Sequence, residues 1–351
     1  MEVATSKRYG ITKTELPPCC LRFHPNYSNK LYIGTYKLEK DGRKHGSLDY
    51  YQFQYIDDNQ LEKHKVCLVQ SVPTSSAILD IKFSLRDPTI LVSAHSNGHL
   101  VVWQVDGESG ELSVTMDITV DEDALVTSVF FNPANSSQVL VTMTSGYSAI
   151  VNLETTSITW LETPHTLECW TGSFGEIGGL QNVVYTGGDD SQLIAHDLRT
   201  SNSIWTLRRG HDAGVVSILS PSSNWNANKA NMIWSGSYDD HLRVWDLRCI
   251  DHNEMPLIEG IVPKVVHKDN LNGGVWRLIA SPLDNRMLTC CMYDGARVID
   301  AENPEFEVVR YFKGDHESMC YGGDWSSCGQ YVATCSFYDN VVQLWSPDEC
   351  Q

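Results

Sequence analysis

Short runs of apolar residues alternate with small, turn-forming residues along most of this chain. The stretch MIWSGSYDDHLRVWDLRC, from Met232 to Cys249, shows the pattern, because an apolar run ends in Ser and Gly, a Tyr-Asp-Asp turn follows, and a second apolar run returns. Two apolar runs joined in this way predict a β-hairpin. Similar hairpins are predicted at 90–106, 139–155, 183–200, 286–302 and 331–348.

The hairpins belong to a longer repeat. A further short apolar run precedes each one, and CCLRFHPNYSNKLYIGTYKLE near the N-terminus supplies one more set of strands. A period of about 40 to 50 residues is typical of a β-propeller. We place seven units at 16–72, 74–118, 124–163, 165–208, 210–260, 272–312 and 317–347. The last unit has only three strands, and we expect residues 6–16 to supply the fourth and close the ring.

Two units carry features of the WD-repeat subtype. Gly210-His211 precedes Trp245-Asp246, and the AHDLRT segment holds His196 where Trp is usual. In such blades a His, a strand residue and a turn Asp form a buried hydrogen-bond network. The predicted fold is therefore an all-β, seven-bladed WD40-type β-propeller that spans the whole chain as one domain.

The net charge and the cysteines limit the classes of binding partner and the cellular compartment that we expect for this protein. The net charge is −18 over 351 residues, with no long basic stretch, which disfavours nucleic acid. No apolar run approaches the roughly 20 residues of a membrane span, and the N-terminus lacks the apolar core of a signal peptide. The eleven cysteines have no regular spacing, so we expect buried thiols in a reducing compartment and a cytoplasmic location. We also expect a monomer.

Candidate chemistry concentrates in the loops that lead into the innermost strands, since these loops line the channel mouth of a propeller. HTLECW contains His165 and Glu168, the parts of a general base and its orienting carboxylate. His165 is alternatively the structural histidine of its blade, and the same alternative applies to His211, which we place among the substrate-binding residues. The amides of Gly273 and Gly274 either hold an oxyanion or form a tight turn.

Aromatic and hydroxyl side chains at the same mouth suggest binding and catalysis. Trp170, Trp276 and Tyr321 fit an aromatic cage for a quaternary ammonium group, although packed core aromatics are the alternative for each. Ser75 and Tyr321 are candidate nucleophiles or acids, as is Cys169.

Metal and cofactor signals are weak. His95 and His99 lie four residues apart, but on a hairpin the turn reverses the chain between them, so we expect no metal site. The sequence has no nucleophile elbow, phosphate loop or dinucleotide-binding glycine pattern, and we expect no cofactor. These motifs alone favour a non-enzymatic interaction scaffold.

Six segments nevertheless resemble a specific family of enzymes: TSSAILDIKFS, VVYTGGDDSQL, GSYDDHLRVWDLR, GGVWRL, YGGDWS and ATCSFYDNVVQLW. Their order from about residue 74 to 345 is similar to that of the diphthine methyl ester hydrolases, WD-repeat proteins of the diphthamide pathway that were historically named diphthine methyltransferases. TCSFYDN and GGVWR are specific segments, because they are not general WD-repeat text.

The resemblance implies a protein methylesterase in diphthamide biosynthesis. The expected substrate is translation elongation factor 2 bearing methylated diphthine, and the products are methanol and diphthine. Other enzymes of the pathway are possible partners. A trimethylammonium group on diphthine would be attracted by acidic and aromatic residues. The alternative is a non-catalytic WD-repeat adaptor in complex assembly or endosomal trafficking. A methyltransferase that uses S-adenosylmethionine is disfavoured, since the sequence shows no Rossmann-like βαβ pattern.

Overall fold

Seven antiparallel sheets follow one another along the chain and form a closed ring. The structure is a computed structural model that describes residues 3–55, 64–248, 263–303 and 305–351. Within these ranges there are twenty-nine strands and one short 3₁₀ helix. The predicted seven-bladed β-propeller is confirmed.

The first four blades use strands β2 to β18. Blade 1 comprises β2 to β6 at Pro18–His24, Tyr27–Thr35, Lys37–Leu38, Lys44–Tyr55 and His64–Thr74. Blade 2 comprises β7 to β10 at Ile78–Phe83, Ile90–His95, His99–Val105 and Leu112–Thr119. Blade 3 comprises β11 to β14 at Val126–Phe131, Gln138–Met143, Ser148–Asn152 and Ile158–Trp160. Blade 4 comprises β15 to β18 at Cys169–Phe174, Val183–Gly188, Leu193–Asp197 and Ser203–Leu207.

The last three blades use β19 to β29 and the N-terminal strand β1. Blade 5 comprises β19 to β22 at Val215–Leu219, Met232–Ser237, His241–Asp246 and Lys264–Asn270, with the 3₁₀ helix at Ala227–Lys229. Blade 6 comprises β23 to β26 at Val275–Ala280, Arg286–Cys291, Ala296–Asp300 and Glu307–Phe312. Blade 7 comprises β27 to β29 at Cys320–Trp325, Val332–Ser336 and Val341–Cys350, completed by β1 at Ser6–Lys13.

The ring closes through the N-terminal strand, as the sequence predicts. Strand β1 pairs antiparallel with β29, so the fourth strand of blade 7 comes from the opposite end of the chain. Thr5 also forms a parallel bridge to Tyr311 of blade 6. Ring closure protects a sheet edge that would otherwise be open to pairing with another chain.

The fifth unit differs from its predicted boundary. Its outer strand β22 starts at Lys264, four residues after the predicted end at residue 260, which itself lies outside the described residues. The reason is that β22 is a largely solvent-exposed outer strand, and its sequence KVVHKDN carries only a weak apolar signal.

The core consists of seven apolar clusters, and each cluster lies between two neighbouring blades. The largest, between blades 2 and 3, includes Val92, Val126, Phe131 and Val141. The small residues that end the second strands are required by this packing. At Gly236 a Cβ atom would clash with a methyl group of Val275 on the next innermost strand. Glycine thus lets neighbouring blades approach closely.

All seven innermost strands share a β-bulge near their first residue. In each blade the pairing with the second strand skips one residue: Cys19, Leu79, Thr127, Trp170, Val216, Trp276 or Tyr321. A bulge re-aims the side chain of the extra residue and interrupts the ladder locally. This feature brings side chains from six blades to one end of the central channel, whereas Val216 of blade 5 is buried and does not line the cavity there.

Helices contribute little to the fold. Among the described residues, no helix has the length and apolar character needed to cross a membrane. The SSNWNANKAN insert of blade 5, which contains the 3₁₀ helix, is anchored by Trp225. Its indole packs on Trp234 and donates a 2.9 Å hydrogen bond to the carbonyl of Arg286.

Candidate ligand-binding site at the channel mouth

A cavity of about 550 Å³ opens at the end of the channel where the bulged residues lie. Six of the seven skipped residues line it, and loops from blades 1, 3, 5 and 7 complete the wall. The lining consists of Pro17, Cys19, Tyr36, Lys37, Leu38, Leu79, Leu125, Thr127, Trp170, Tyr238, Trp276, Arg277, Tyr321, Phe337 and Tyr338. Clefts of this size with a mainly apolar lining and a few polar groups are typical ligand sites.

Trp276 is the centre of an aromatic wall. Its ring lies 5.1 Å from that of Tyr321, 5.8 Å from that of Tyr238 and 5.9 Å from that of Trp170, measured between ring centroids. Phe337 extends the wall, with its ring 5.4 Å from that of Tyr321. The structure therefore brings together the three aromatic residues that the sequence proposes for a cage. Such a wall attracts a quaternary ammonium group through the negative faces of the rings.

The bulges explain why these rings meet. Trp170, Trp276 and Tyr321 come from three different blades, yet each is the skipped residue of its innermost strand. The buried indole N–H group of Trp276 has no hydrogen-bond acceptor within the described parts of the protein, whereas the indole of Trp170 favours the charged form of the Asp189 carboxylate as a hydrogen-bond donor. Buried donors without a partner are uncommon, and they are frequent features of functional sites.

Arg277 supplies a positive charge at the floor of the cavity. Its side chain is 8% exposed and its guanidinium carbon lies 5.3 Å from the Trp276 ring. Deeper in the channel, Lys82 donates hydrogen bonds of 2.8 and 2.6 Å to the two carboxylate oxygens of buried Asp80. Burial and the nearby Arg22 lower the pKa of Lys82 to about 7. The site thus combines an aromatic wall with a charged floor.

Two carboxylates lie near the aromatic wall, although neither of them lines the cavity. Glu168 and Asp189 both raise the pKa of Tyr238 electrostatically, in addition to the larger effect of burial. Burial and the charge of Glu168 raise the pKa of Asp189 in turn. Negative charge next to aromatic rings favours a cationic ligand and disfavours a free anion at the rim.

His165 lies in the framework of its blade and does not line the cavity. It is 4% exposed, its Nδ1 lies 2.9 Å from Asp190 Oδ1, and its Nε2 lies 3.0 Å from Thr186 Oγ1. The same hydroxyl lies 2.9 Å from Nε2 of His196, which takes the position of the usual Trp. Because the blade occupies both ring nitrogens, the structure corrects the expectation that His165 faces the mouth as a base.

His211 has the same structural position in blade 5. Its Nε2 lies 2.8 Å from Ser235 Oγ, which also accepts a 2.8 Å hydrogen bond from the indole of Trp245. Burial and the charge of Arg243 lower the pKa of His211 to about 3, so the ring is neutral at pH 7. His211 does not line the cavity, so the expectation that it binds the substrate there is wrong.

Ser75 and the glycine pair also differ from their expected positions. Ser75 is exposed and does not line the cavity, whereas its neighbour Ser76 is buried against His95. The amide of Gly274 donates a 2.7 Å hydrogen bond to the Asp240 carboxylate, so it is not free to hold an oxyanion. Gly273 has a φ of +119°, which only glycine adopts readily, and this supports the tight-turn alternative.

His95 and His99, the pair considered in the sequence analysis, are not arranged as metal ligands. His95 is buried between Ser76 and Ser93, and His99 pairs with Asp117 on the outer strand. Over the described ranges, no group of three or more His, Cys, Asp or Glu side chains is arranged to hold a metal ion.

Sequence reasoning missed several residues of the cavity. Tyr238, Phe337 and Tyr338 lie in turns between the second and third strands, which reach the same end of the channel as the loops before the innermost strands. Arg277 was missed because alternation along β23 suggests a buried strand position. One signal was present in the sequence, since GSYDD and CSFYDN place aromatic residues at the same point of two repeats.

Comparison with known proteins decides the family. A diphthine methyltransferase of Saccharomyces cerevisiae is 38% identical, with 95% of this chain and 96% of the relative aligned. The chain belongs to the diphthine methyltransferase family. A diphthine methyltransferase of Schizosaccharomyces pombe is 32% identical over 95% of both proteins, and a homolog in Dictyostelium discoideum is 28% identical over 93% of this chain and 95% of the relative.

The repeat architecture agrees with this diphthine methyltransferase assignment. The WD domain, G-beta repeat family matches residues 201–246 and 306–346. A chain in the crystal structure of the mitotic checkpoint complex superposes with a TM-score of 0.72 at 14% identity, covering 99% of this chain and 94% of the other, which shows the fold alone. Membership in the diphthine methyltransferase family indicates an enzyme with a role in diphthamide biosynthesis.

Proposed function

We propose that this protein is a carboxylic ester hydrolase that removes the methyl group from methylated diphthine on translation elongation factor 2. The observation that carries the proposal is the aromatic wall of Trp170, Tyr238, Trp276 and Tyr321 around one cavity. Diphthine bears a trimethylammonium group, and aromatic faces bind such groups. The family relationship supports the diphthine substrate class.

The reaction needs water and no cofactor. A water oxygen adds to the ester carbonyl carbon, the bond from that carbon to the methoxy oxygen breaks, and the leaving methoxide takes a proton to become methanol. The acid that remains loses its proton and is released as the carboxylate of diphthine. The enzyme has to activate the water and stabilise the negative charge that develops on the carbonyl oxygen.

Activated water fits this cavity better than a side-chain nucleophile. Burial raises the pKa of the Cys19 thiol to about 12, and burial also raises the pKa of Tyr321. Both groups are therefore protonated at neutral pH and are weak nucleophiles. Glu168 remains our candidate for the general base; it does not line the cavity, but its charge acts on Tyr238 of the wall and on Asp189.

The decisive experiment uses purified protein and elongation factor 2 that carries methylated diphthine. Methanol release with a matching loss of 14 mass units from the factor supports the esterase. A Glu168→Gln variant should lose most of the activity, and Glu122→Gln, an exposed carboxylate on another loop, should retain it. Failure of the wild-type protein to release methanol contradicts the proposal and favours the adaptor.

The adaptor alternative is favoured by one observation. Tyr293 and Tyr338, in turns near the mouth, are 66% and 71% exposed, and exposed aromatic residues are common at protein interfaces. The same residues would also contact a protein substrate. Binding of the factor without methanol release distinguishes the adaptor from the esterase.

A further inference from the structure

Five charged side chains meet in the channel below the aromatic wall, and we call them the channel cluster. It consists of Arg22, Asp80, Lys82, Arg277 and Asp324, contributed by blades 1, 2, 6 and 7. Three members are basic and two are acidic, so the cluster has one more basic than acidic side chain. Buried charges in proteins are ordinarily paired, so a buried cation that makes no close ion pair favours an anionic group in a ligand.

Four members of the channel cluster have partners within it or on the backbone. Lys82 binds Asp80, and the nearest Arg22 nitrogen lies 3.9 Å from the same carboxylate. Arg22 also donates to the carbonyls of Leu21 and Gly323. Asp324 accepts a 2.8 Å hydrogen bond from the amide of Phe23.

Arg277 is the exception. Among the described residues its guanidinium has no hydrogen bond and no ion pair within 4 Å, although its charge helps to lower the pKa of Asp80, and its close contact is the Trp276 ring at 5.3 Å. It is nevertheless more than nine-tenths buried and lines the cavity. A buried guanidinium with unused donors that faces a cavity matches a carboxylate, which it binds through two parallel hydrogen bonds.

We infer that the cavity is a zwitterion site for the betaine class, in which the aromatic wall holds a quaternary ammonium group and Arg277 holds a carboxylate. The 5.3 Å between the Trp276 ring and the guanidinium carbon requires that the two charges of the ligand lie within a few bonds of each other. A ligand that has only a quaternary ammonium group is disfavoured because it offers the Arg277 guanidinium no oxygen acceptor. A simple anion is disfavoured because Glu168 and Asp189 lie beside the wall.

If the protein is the proposed esterase, Arg277 also acts in the reaction. Arg277 interacts weakly with a neutral ester, more strongly with the oxygen that becomes negative during hydrolysis, and most strongly with the carboxylate product. It therefore contributes to catalysis through the transition state and slows release of the product. Free betaines should compete with the substrate.

The test is calorimetric titration of the purified protein with glycine betaine at low salt. We expect binding of one molecule per chain, and binding at least tenfold weaker for tetramethylammonium and for acetate. Arg277→Gln should weaken betaine binding at least tenfold; it leaves Lys82 and Arg22 beside Asp80, so the fold should be retained. Arg286→Gln is the matched control, because Arg286 stacks on Trp325 but does not line the cavity.

Equal binding of betaine and tetramethylammonium, equal binding by wild type and Arg277→Gln, or no betaine binding would each overturn the inference. The outcome is independent of the esterase assay. Arg277-dependent betaine binding without methanol release supports the zwitterion site and contradicts the esterase. Methanol release without betaine binding supports the esterase and contradicts the zwitterion site.

Discussion

Replacement of Trp276 by leucine tests the aromatic wall most directly. Leucine keeps an apolar side chain at the bulge but removes the aromatic face that contacts the rings of Trp170, Tyr238 and Tyr321. If the wall binds a trimethylammonium group, the variant loses the attraction between that group and the most central ring. The backbone bulge and the other three rings remain.

The magnitude follows from the geometry. A cation over an aromatic ring contributes about 0.5 to 2 kcal/mol, with the larger value in a desolvated site. Trp276 is half-buried and lies at the centre of the wall, so we expect a loss of about 1 to 2 kcal/mol. Since about 1.4 kcal/mol is a factor of ten, kcat/KM should fall by roughly 5- to 30-fold.

The assay is methanol release over a range of factor concentrations, with thermal unfolding as the check on folding. Trp160→Leu is the control, because Trp160 is 40% exposed and packs on Tyr147 away from the cavity. A folded Trp276→Leu protein with unchanged kcat/KM would show that the wall does not bind the substrate cation. Equal losses in both tryptophan variants would indicate a general effect on the fold.

Three further predictions concern the blade networks and ring closure. Ser235→Ala leaves the buried indole N–H of Trp245 without its acceptor and Nε2 of His211 without its hydrogen-bond partner. It should lower the free energy of unfolding by about 2 to 4 kcal/mol in urea titration, whereas Ser75→Ala should change it little. Burial lowers the pKa of four histidines in the blade networks to about 3 or 4, namely His95, His196, His211 and His316. Below pH 6.5 the unfolded chain therefore binds more protons than the folded protein, and the free energy of unfolding decreases as the pH is lowered, by about 1.4 kcal/mol per histidine at pH 5.5. A thermal midpoint that does not change between pH 7 and pH 5.5 contradicts this prediction. Deletion of residues 1–13 exposes the edge of β29 and should cause association in light scattering, while deletion of residues 1–3 should not.

The histidine networks show what a local pattern leaves open. His165 and His211 occupy equivalent loops, and the sequence suggests both a structural and a chemical role for each. Their burial and their contacts with Thr186 and Ser235 place them in the blade framework. Those hydroxyls lie more than twenty residues away in the chain, so no local spacing reveals the contact.

The wall residues show the opposite case. Aromatic residues at the start of β15, β23 and β27 are visible in the sequence, and the propeller prediction brings those starts to one opening. Whether these aromatic side chains point into the cavity depends on the β-bulge. The bulge arises from the pairing of two strands and has no sequence signature of its own. Arg277, one position later, becomes a cavity residue for the same reason.

The sequence by itself determined the number of blades, the hairpins within them and the closing strand, because alternation of apolar and turn residues is a local property that repeats seven times. The tertiary structure alone decided which side chains share the channel. Arg22 and Asp324 are about 300 positions apart, and Trp276 and Tyr238 belong to different blades. Their distances depend on how seven sheets pack around one axis, through contacts between blades that no single repeat contains.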